Sequence, residues 1–248
     1  MKQWIAWIVV LLAVPAAIVA GESQAPQRLP DQSTVMTSGG FLGAHPDLHW
    51  RREGVIALDD GRKGEALTYF RRAARYADKA SQAMVAEMLW TGTGTPVDRP
   101  LAYAWMDIAA ERAYIPFVAK REEYWKALDM EEREEALRVG AAIHDEYRDA
   151  VAKPRLEREL VRGKRKITGS RVGHLGNVKV MIPVAGGMMQ TIEGERFYDD
   201  TYWEPERYWE WQDATWKDPP TGTVNVKALE VVRDRDDDEA PGPGGVVP

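Results

Sequence analysis

The chain has 248 residues, 44% of them apolar, a formal charge of −6 and no cysteine. The negative balance argues against nonspecific nucleic-acid binding, and the lack of cysteine excludes disulfides, thiolate metal sites and thiol nucleophiles. Burial and hydrogen bonding must hold the fold together, and the length suffices for one modest core.

At the amino terminus Lys2 precedes an apolar run over residues 4–20, interrupted by Pro15 and followed by polar Gly21, Glu22, Ser23 and Gln24. This is the pattern of a secretory signal peptide over 1–20. No small-x-small cleavage site is clean, because Ile18 stands two before Ala20 and Pro26 follows Ala25. An uncleaved amino-terminal anchor is the alternative, near the short limit for a bilayer span. No cysteine follows the run, which excludes lipoprotein attachment. Residues 21–45, rich in Pro, Gln, Ser, Thr and Gly, read as a flexible leader.

From 46 to 128 the chain repeats itself. Ala66, Tyr69, Ala73 and Ala74 recur 36 residues later as Ala102, Trp105, Ala109 and Ala110, and Ala83 recurs as Ala119. A fixed period in the 30s marks a helical solenoid, with helices expected near 47–59, 64–76, 79–91, 99–112 and 115–128. Gly92 and Gly94 let the chain leave a helix through positive φ, Asp98 can cap the next helix, and Pro100 is tolerated in its first turn. Ala102, Ala109 and Ala110 share one face, where small side chains let a neighbouring helix approach. Trp105 and Tyr69 fill the gap beside that approach.

With Gly92, Gly94, Asp98, Ala102, Trp105, Ala109 and Ala110 in place, this stretch resembles a Sel1-like repeat, a relative of the tetratricopeptide repeat. It departs from the family pattern at Thr95 and Leu101, and at Met88 and Thr91 in the preceding helix. The earlier copy, with Trp50, Gly54, Gly61, Ala66, Phe70 and Ala73, is similar to a tetratricopeptide unit with a loop two residues shorter. The resemblance covers residues 47–128. It implies an all-α fold, a short helical-repeat solenoid, and an adaptor surface for a protein or peptide. In such a stack the first helix of each pair lines the binding face, which implies a groove of Leu48, Arg51, Val55, Gln82, Val85, Leu89, Arg121 and Trp125. Among these Arg51, Arg121 and Trp125 are of the types that anchor interfaces.

Asp129 and Glu132 form a capping-box pattern opening a longer helix, with apolar positions Leu137, Ala141, Ile143 and Tyr147, that runs to Pro154 and caps the solenoid over 129–153. The segment 154–232 then changes character. Residues 155–171 carry seven Arg and Lys against Glu157 and Glu159, and strands are expected at 178–182 and 223–232. Between those strands, 197–216 is dense in aromatic and acidic side chains. The tail 233–248, acidic and then rich in Gly and Pro, reads as disordered. Two repeats are fewer than a solenoid needs to bury its helices. The carboxy-terminal extension is therefore expected to pack on the repeats, its basic run attracting the acidic segment and burying much of its Trp.

The search for catalytic motifs finds little. His45 and His49, with Asp47 between them, have the spacing of two metal ligands, but Pro46 prevents a regular helix through His45, which reads as a surface side chain near a helix start. His144 lies on the polar side of the cap helix and His174 in a glycine-flanked turn, neither within a motif. Thr168-Gly169-Ser170-Arg171 lacks the second glycine of a nucleophile elbow, and Gly163-Lys164-Arg165 is no phosphate loop. The carboxylate pairs Asp199 and Asp200, or Glu204 and Glu206, could do acid and base work only if one were buried. Trp203, Trp209, Trp211 and Trp216 beside Glu204, Glu206 and Glu210 are materials for a glycan or peptidoglycan-binding surface, the alternative function. The preferred reading is an exported, periplasmic or secreted, non-enzymatic interaction module of a bacterial cell envelope. It uses no cofactor, metal or nucleic acid, and an uncleaved amino-terminal segment is its one route to the membrane.

Overall fold

A computed structural model of the chain describes residues 32–166, 178–183 and 188–217. The amino-terminal apolar run, the expected strand at 223–232, His174 and the tail 233–248 lie outside the described residues. Within them the fold is all-α, a helical-repeat solenoid with a capping helix and a carboxy-terminal extension that carries one strand pair. No helix among the described residues is long and apolar enough to cross a membrane.

The repeat block runs α3 (Pro46–Asp59), α4 (Lys63–Ala74), α5 (Lys79–Thr91), α6 (Arg99–Ala109), a 3-10 turn (Ala110–Arg112) and α7 (Ile115–Ala127). Successive helices pack as antiparallel neighbours, α3 on α4, α4 on α5 and α5 on α6. The turn residues do what their types allow. Gly61, Gly92 and Gly94 have positive φ, and a side chain at Gly94 would meet the Lys63 backbone at 2.6 Å. Asp98 accepts from the Leu101 amide and caps α6, with Pro100 in the first turn. Ala66, Ala73, Ala74, Ala102 and Ala109 are wholly buried, as is Phe70, whose ring fills the space a side chain at Gly54 would occupy. Trp105 is buried against Tyr147, and Tyr69 stacks half-buried on Trp50.

Beyond the repeats, α8 (Met130–Tyr147) opens with the expected Asp129–Glu132 capping box and packs on α6. It does not run to Pro154. Arg148 leaves the helical region and α9 (Asp149–Arg165) begins at once, carrying Pro154 inside it as its sixth residue, where the missing amide forgoes the bond to the Ala150 carbonyl. The basic run is thus helical as far as Arg165, and Ala152, Leu156 and Leu160 of this helix are buried at spacings of four. The faces of α8 also differ from expectation. Ala136 and Tyr147 are buried and Gly140 and Ile143 half-buried, whereas Leu137 and Ala141 point outward.

The expected flexible leader is folded from residue 32. It forms α1 (Gln32–Met36) and α2 (Gly39–Leu42), and Val35, Phe41, Leu42, Ala44 and His45 are all buried. Four apolar side chains within ten residues suffice to tie a polar-looking segment down once a partner surface exists. That surface is the extension: strands β1 (Lys179–Pro183) and β2 (Met189–Glu193), an antiparallel pair in the register Lys179 to Glu193, then α10 (Gly194–Phe197), α11 (Asp200–Trp203) and α12 (Pro205–Lys217). Phe41, Leu42, Ile182, Ile192, Phe197 and Trp203 make one core cluster. Trp216 joins the repeat core instead, beside Tyr114 and Phe117. The helices α11 and α12 of the aromatic segment lie where an irregular stretch was expected.

A buried ion cluster joins repeats and extension. Lys79, the first residue of α5, is 2% exposed, and its Nζ donates to Ile108 O at 2.9 Å and to Glu111 at 2.7 Å and lies 3.0 Å from Asp149. Arg112 holds the other side of Asp149 through Nε at 2.6 Å and Nη2 at 3.0 Å, and reaches Ala77 O at 3.2 Å. Burial alone would raise the Asp149 pKa, but the Arg112 hydrogen bonds and the Lys79 charge hold it well below the carboxylate range. Burial likewise lowers the Lys79 pKa, with Asp149 opposing.

Two stability tests follow from this packing. Ala109→Leu and Ala110→Leu should each lose about 1 to 3 kcal/mol in urea denaturation by overpacking the helix crossing, and Gly94→Val should lose stability through positive φ and the Lys63 clash; unchanged midpoints would refute the repeat assignment. Asp149→Ala strips Arg112 of its carboxylate and leaves Lys79 with Glu111 alone, and should cost about 3 to 5 kcal/mol, little altered by salt because the cluster is largely buried.

Candidate functional site

Two places combine unusual chemistry with a defined geometry. The first is closed. His45, expected at the surface, is 0% exposed. Its ring stacks on Phe41 at 3.7 Å and meets Trp203 edge-on, while Nδ1 lies 2.8 Å from Phe41 O and Nε2 2.8 Å from Tyr202 O. The ring was hidden because the leader folded over it. Burial pushes the imidazole down to about 4, against the pull of the two carbonyls. A neutral ring donates to one carbonyl and turns a lone pair to the other. Two residues on, Asp47 is also buried and accepts from the Tyr208 hydroxyl, which in turn accepts from Gln212 Nε2 at 2.9 Å. Its second carboxylate oxygen has no donor among the described residues. Burial, and then the charge of Asp78, push Asp47 up to about 7; Tyr208 and Arg51 pull it down. Asp78 is itself held by Arg51 at 3.1 Å and caps α5 at Ser81.

This group has the ingredients of acid-base chemistry but no opening, and it joins α2 and α3 to α11 and α12. His49, half-buried, tilts onto Trp50 and does not join it. Among the described residues no three His, Asp or Glu side chains stand together as a metal site.

The second place is open. Between α6 and α8 lies a shallow groove of about 320 Å³. It is lined by Ala104, Ala136 and Gly140, which are buried or half-buried, and by Tyr103, Asp107, Leu137, Ala141 and His144. Small lining residues let another backbone come close. Leu137 is 65% exposed, an apolar side chain without cover. One rim continues onto α7. Trp125 packs on Tyr103 at 4.9 Å between ring centres, and Arg133 lies over the Trp125 ring at 5.1 Å while donating to Trp125 O. Arg121 reaches Asp107 at 3.5 Å and Glu122 at 2.7 Å.

Arg121 and Trp125 do not line the groove; they touch two residues that do, Asp107 and Tyr103, and the groove itself is built from the second helices of the pairs. The other expected contacts fall elsewhere. Leu48, Gln82, Val85 and Leu89 are buried, and Val55 is half-buried against the repeat core. Gln82 spends its amide on Ala74 O and Tyr147 O, and Arg51 is committed to Asp78. Helix α5 is flanked by α4 and α6 and closed by the end of α8, so its expected binding face became core. Tyr103, Leu137, Gly140 and His144 were not singled out as contacts. The spacing Ala136, Gly140, Ile143, Tyr147 was the available signal, because it turns Leu137 outward.

The tryptophans proposed for sugar binding are occupied. Trp203 is buried and donates to Phe197 O at 2.7 Å, and Trp216 is buried in the repeat core. Trp209 lies under Arg112 and Lys153 and donates to Glu157 at 3.0 Å; Trp211 packs on Tyr202 and Tyr208. Attraction between the basic run and the acidic segment is present in one clear form, Lys164 against Asp200 and Glu204.

No family model matches the chain, and no curated protein matches it in sequence. Among solved structures it is similar to a protective antigen present in uropathogenic Escherichia coli strains and displaying an SLR (Sel1-like repeat) fold. The similarity has 20% identity and a TM-score of 0.41, and covers 59% of this chain and 31% of that one, so the chain spans about a third of that protein's length.

The closed group makes a pH prediction. Asp47 titrates near 7 in the folded chain and near 3.8 when free, so its contribution to stability is full below pH 3.8 and is lost as pH rises through about 7. Asp47→Asn keeps an acceptor for Tyr208 and removes that loss. The stability of the variant relative to the parent should rise by about 1.4 kcal/mol per pH unit between about pH 4 and 7. Urea midpoints at pH 4.5, 5.5 and 6.5 measure it, and a constant difference would show that Asp47 is ionised in the fold throughout.

Proposed function

We propose that the protein is an exported interaction module of the bacterial cell envelope, periplasmic or secreted, that grips a peptide or helix of a partner protein. The observation that carries this reading is the α6/α8 groove, with its small lining residues and uncovered Leu137, and with Trp125 and Arg121 packed on its Tyr103 and Asp107. The repeat signature at Gly92, Gly94, Asp98, Ala102, Trp105, Ala109 and Ala110 supports it through the adaptor role that the resemblance implies. Export rests on the apolar run over 4–20 and suits a fold without cysteine.

Energetically the groove is a modest site. Covering Leu137 contributes about 1.5 to 3 kcal/mol, and an aromatic or Arg anchor truncated at an interface centre costs about 2 kcal/mol or more. An apolar helix face laid on Ala104, Gly140 and Ala141 would meet Leu137 on one side and Trp125 on the other.

The test is capture from envelope extract on the immobilised chain, followed by mass spectrometry and titration of the captured partner. Leu137→Ala, Arg121→Ala and Trp125→Ala should each weaken binding at least tenfold while the far-UV helical signal stays unchanged. Full binding by all three variants would remove the groove from the interface, and loss of helix in Trp125→Ala would mark that residue as structural.

A further inference from the structure

A wider groove, of about 550 Å³, runs along α9 where α12 begins. Pro154, Arg158, Val161, Arg162 and Arg165 line it from α9, and Pro205, the first residue of α12, lines it too. Positions 154, 158, 161 and 165 recur at spacings of four, three and four, so one stripe of α9 faces this groove. On that stripe Arg158 and Arg165 stand about 10 Å apart along the helix axis. Both are exposed, and neither has a carboxylate partner among the described residues. The neighbouring charges are answered: Arg162 lies 3.0 Å from Glu159, and Glu157, which also lines the groove, accepts from Trp209 Nε1 at 3.0 Å. Val161, between the two unpaired arginines in sequence, is 37% exposed, and Pro154 and Pro205 add apolar surface. Guanidinium groups spaced along an apolar strip suit an extended acidic peptide that carries a proline.

The chain contains such a peptide. Residues 234–239 are acidic at every position but Arg235, and Ala240 and Pro241 follow. Helix α12 starts at the groove and ends at Lys217, about 18 Å along its axis. The stretch from Lys217 to Asp234 can span up to about 60 Å, so the acidic run reaches the groove with slack. A tether of this kind holds its end at an effective concentration on the order of millimolar. Ion pairs too weak to recruit a free peptide can then keep a tethered one in place.

We propose that the acidic run 234–239 docks in cis on the α9 groove, with its carboxylates on Arg158 and Arg165 and Pro241 against Val161. A polyproline II chain returns to the same side every third residue, about 9 Å on, which lets Asp236 and Glu239 meet the two guanidinium groups together. A run so charged cannot bury itself, and on this groove it has no need to. An acidic segment of another protein would enter only by displacing it. Neither the α6/α8 groove nor export enters into this docking.

The chain has no cysteine, so nitroxide labels at Ala150→Cys, exposed on α9 one turn before Pro154, and at Ala240→Cys report the separation in the full chain by double electron–electron resonance. At low salt the distance distribution should be narrow. Arg158→Glu with Arg165→Glu should lower the docked fraction about tenfold or more with the far-UV helical signal intact, and about 0.5 M salt should act in the same direction. Adding Asp236→Lys, Asp237→Lys, Asp238→Lys and Glu239→Lys to that variant should restore the narrow distance, which a merely structural role of the arginines would not allow. A parent distribution as broad as the variant's overturns the proposal, as does a narrow one that survives the charge reversal. So does a narrow distance that disappears when labelled chains are diluted with unlabelled ones, which would seat the run on a second copy. A narrow distance that forms only with anionic vesicles or an oligonucleotide present also overturns it.

Discussion

A lysine with almost no exposure sits at the start of α5, and the arrangement around it depends on how that charge is answered. Lys79 finds a carbonyl from α6, Glu111 from the 3-10 turn and Asp149 from the start of α9. No one of these segments could bury it alone. Taking an ammonium out of water costs several kcal/mol even after relaxation, so the chain break at Arg148, the entry angle of α9 and the turn after α6 are tied to one another by the geometry of this cluster. Arg112 serves both ends, binding Asp149 and lying over the Trp209 ring of α12.

From that joint the extension completes a solenoid too short to close itself. Two repeats leave the outer helices of the stack without a next repeat to pack on. Tyr208 reaches Asp47 at the start of α3, and Trp216 packs on Tyr114 and Phe117 at the start of α7. The aromatic segment thus does the work of a missing repeat, with rings in place of alanine faces. Its tryptophans are spent on this, and the large apolar side chains left uncovered among the described residues are scattered: Leu137 beside the α6/α8 groove, Met181, Met188 and Met189 on the strand pair, and Val97, Ile115, Met130 and Val161 elsewhere.

The repeat block was legible because its determinants are local. Glycines at positive φ, Asp98 as a cap and alanines at a fixed period depend on neighbours in sequence, and each appears where its type implies. The capping box at Asp129 was equally local. What could not be read depends on partners far along the chain. His45 is buried by Tyr202 and Trp203, Val35 and Phe41 by the hairpin, and Gln82 by Tyr147. Composition made residues 32–45 look like a linker because nothing nearby reveals what will cover them. The candidate groove was barely legible. Arg121 and Trp125 touch its lining at Asp107 and Tyr103, but its residues on α6 and α8 were not foreseen, and Leu48, Gln82, Val85 and Leu89 of the earlier first helices are core.

The polar contact of His45 Nε2 with the Tyr202 carbonyl spans 157 residues of sequence, and the hydrogen bond that Tyr208 donates to Asp47 spans 161. Helix pairs such as α3 with α4 close short loops and can form as soon as both helices are free to fold. The amino-terminal end of α3 has no such option, since its buried aspartate and histidine wait for a segment made near the end of synthesis. Assembly therefore has two stages, a quick local zipping of repeats and a slow closure set by the entropy of joining distant ends. During the interval between them Phe41, Leu42 and the Asp47 carboxylate face water, and the chain in that state is a substrate for proteases and chaperones.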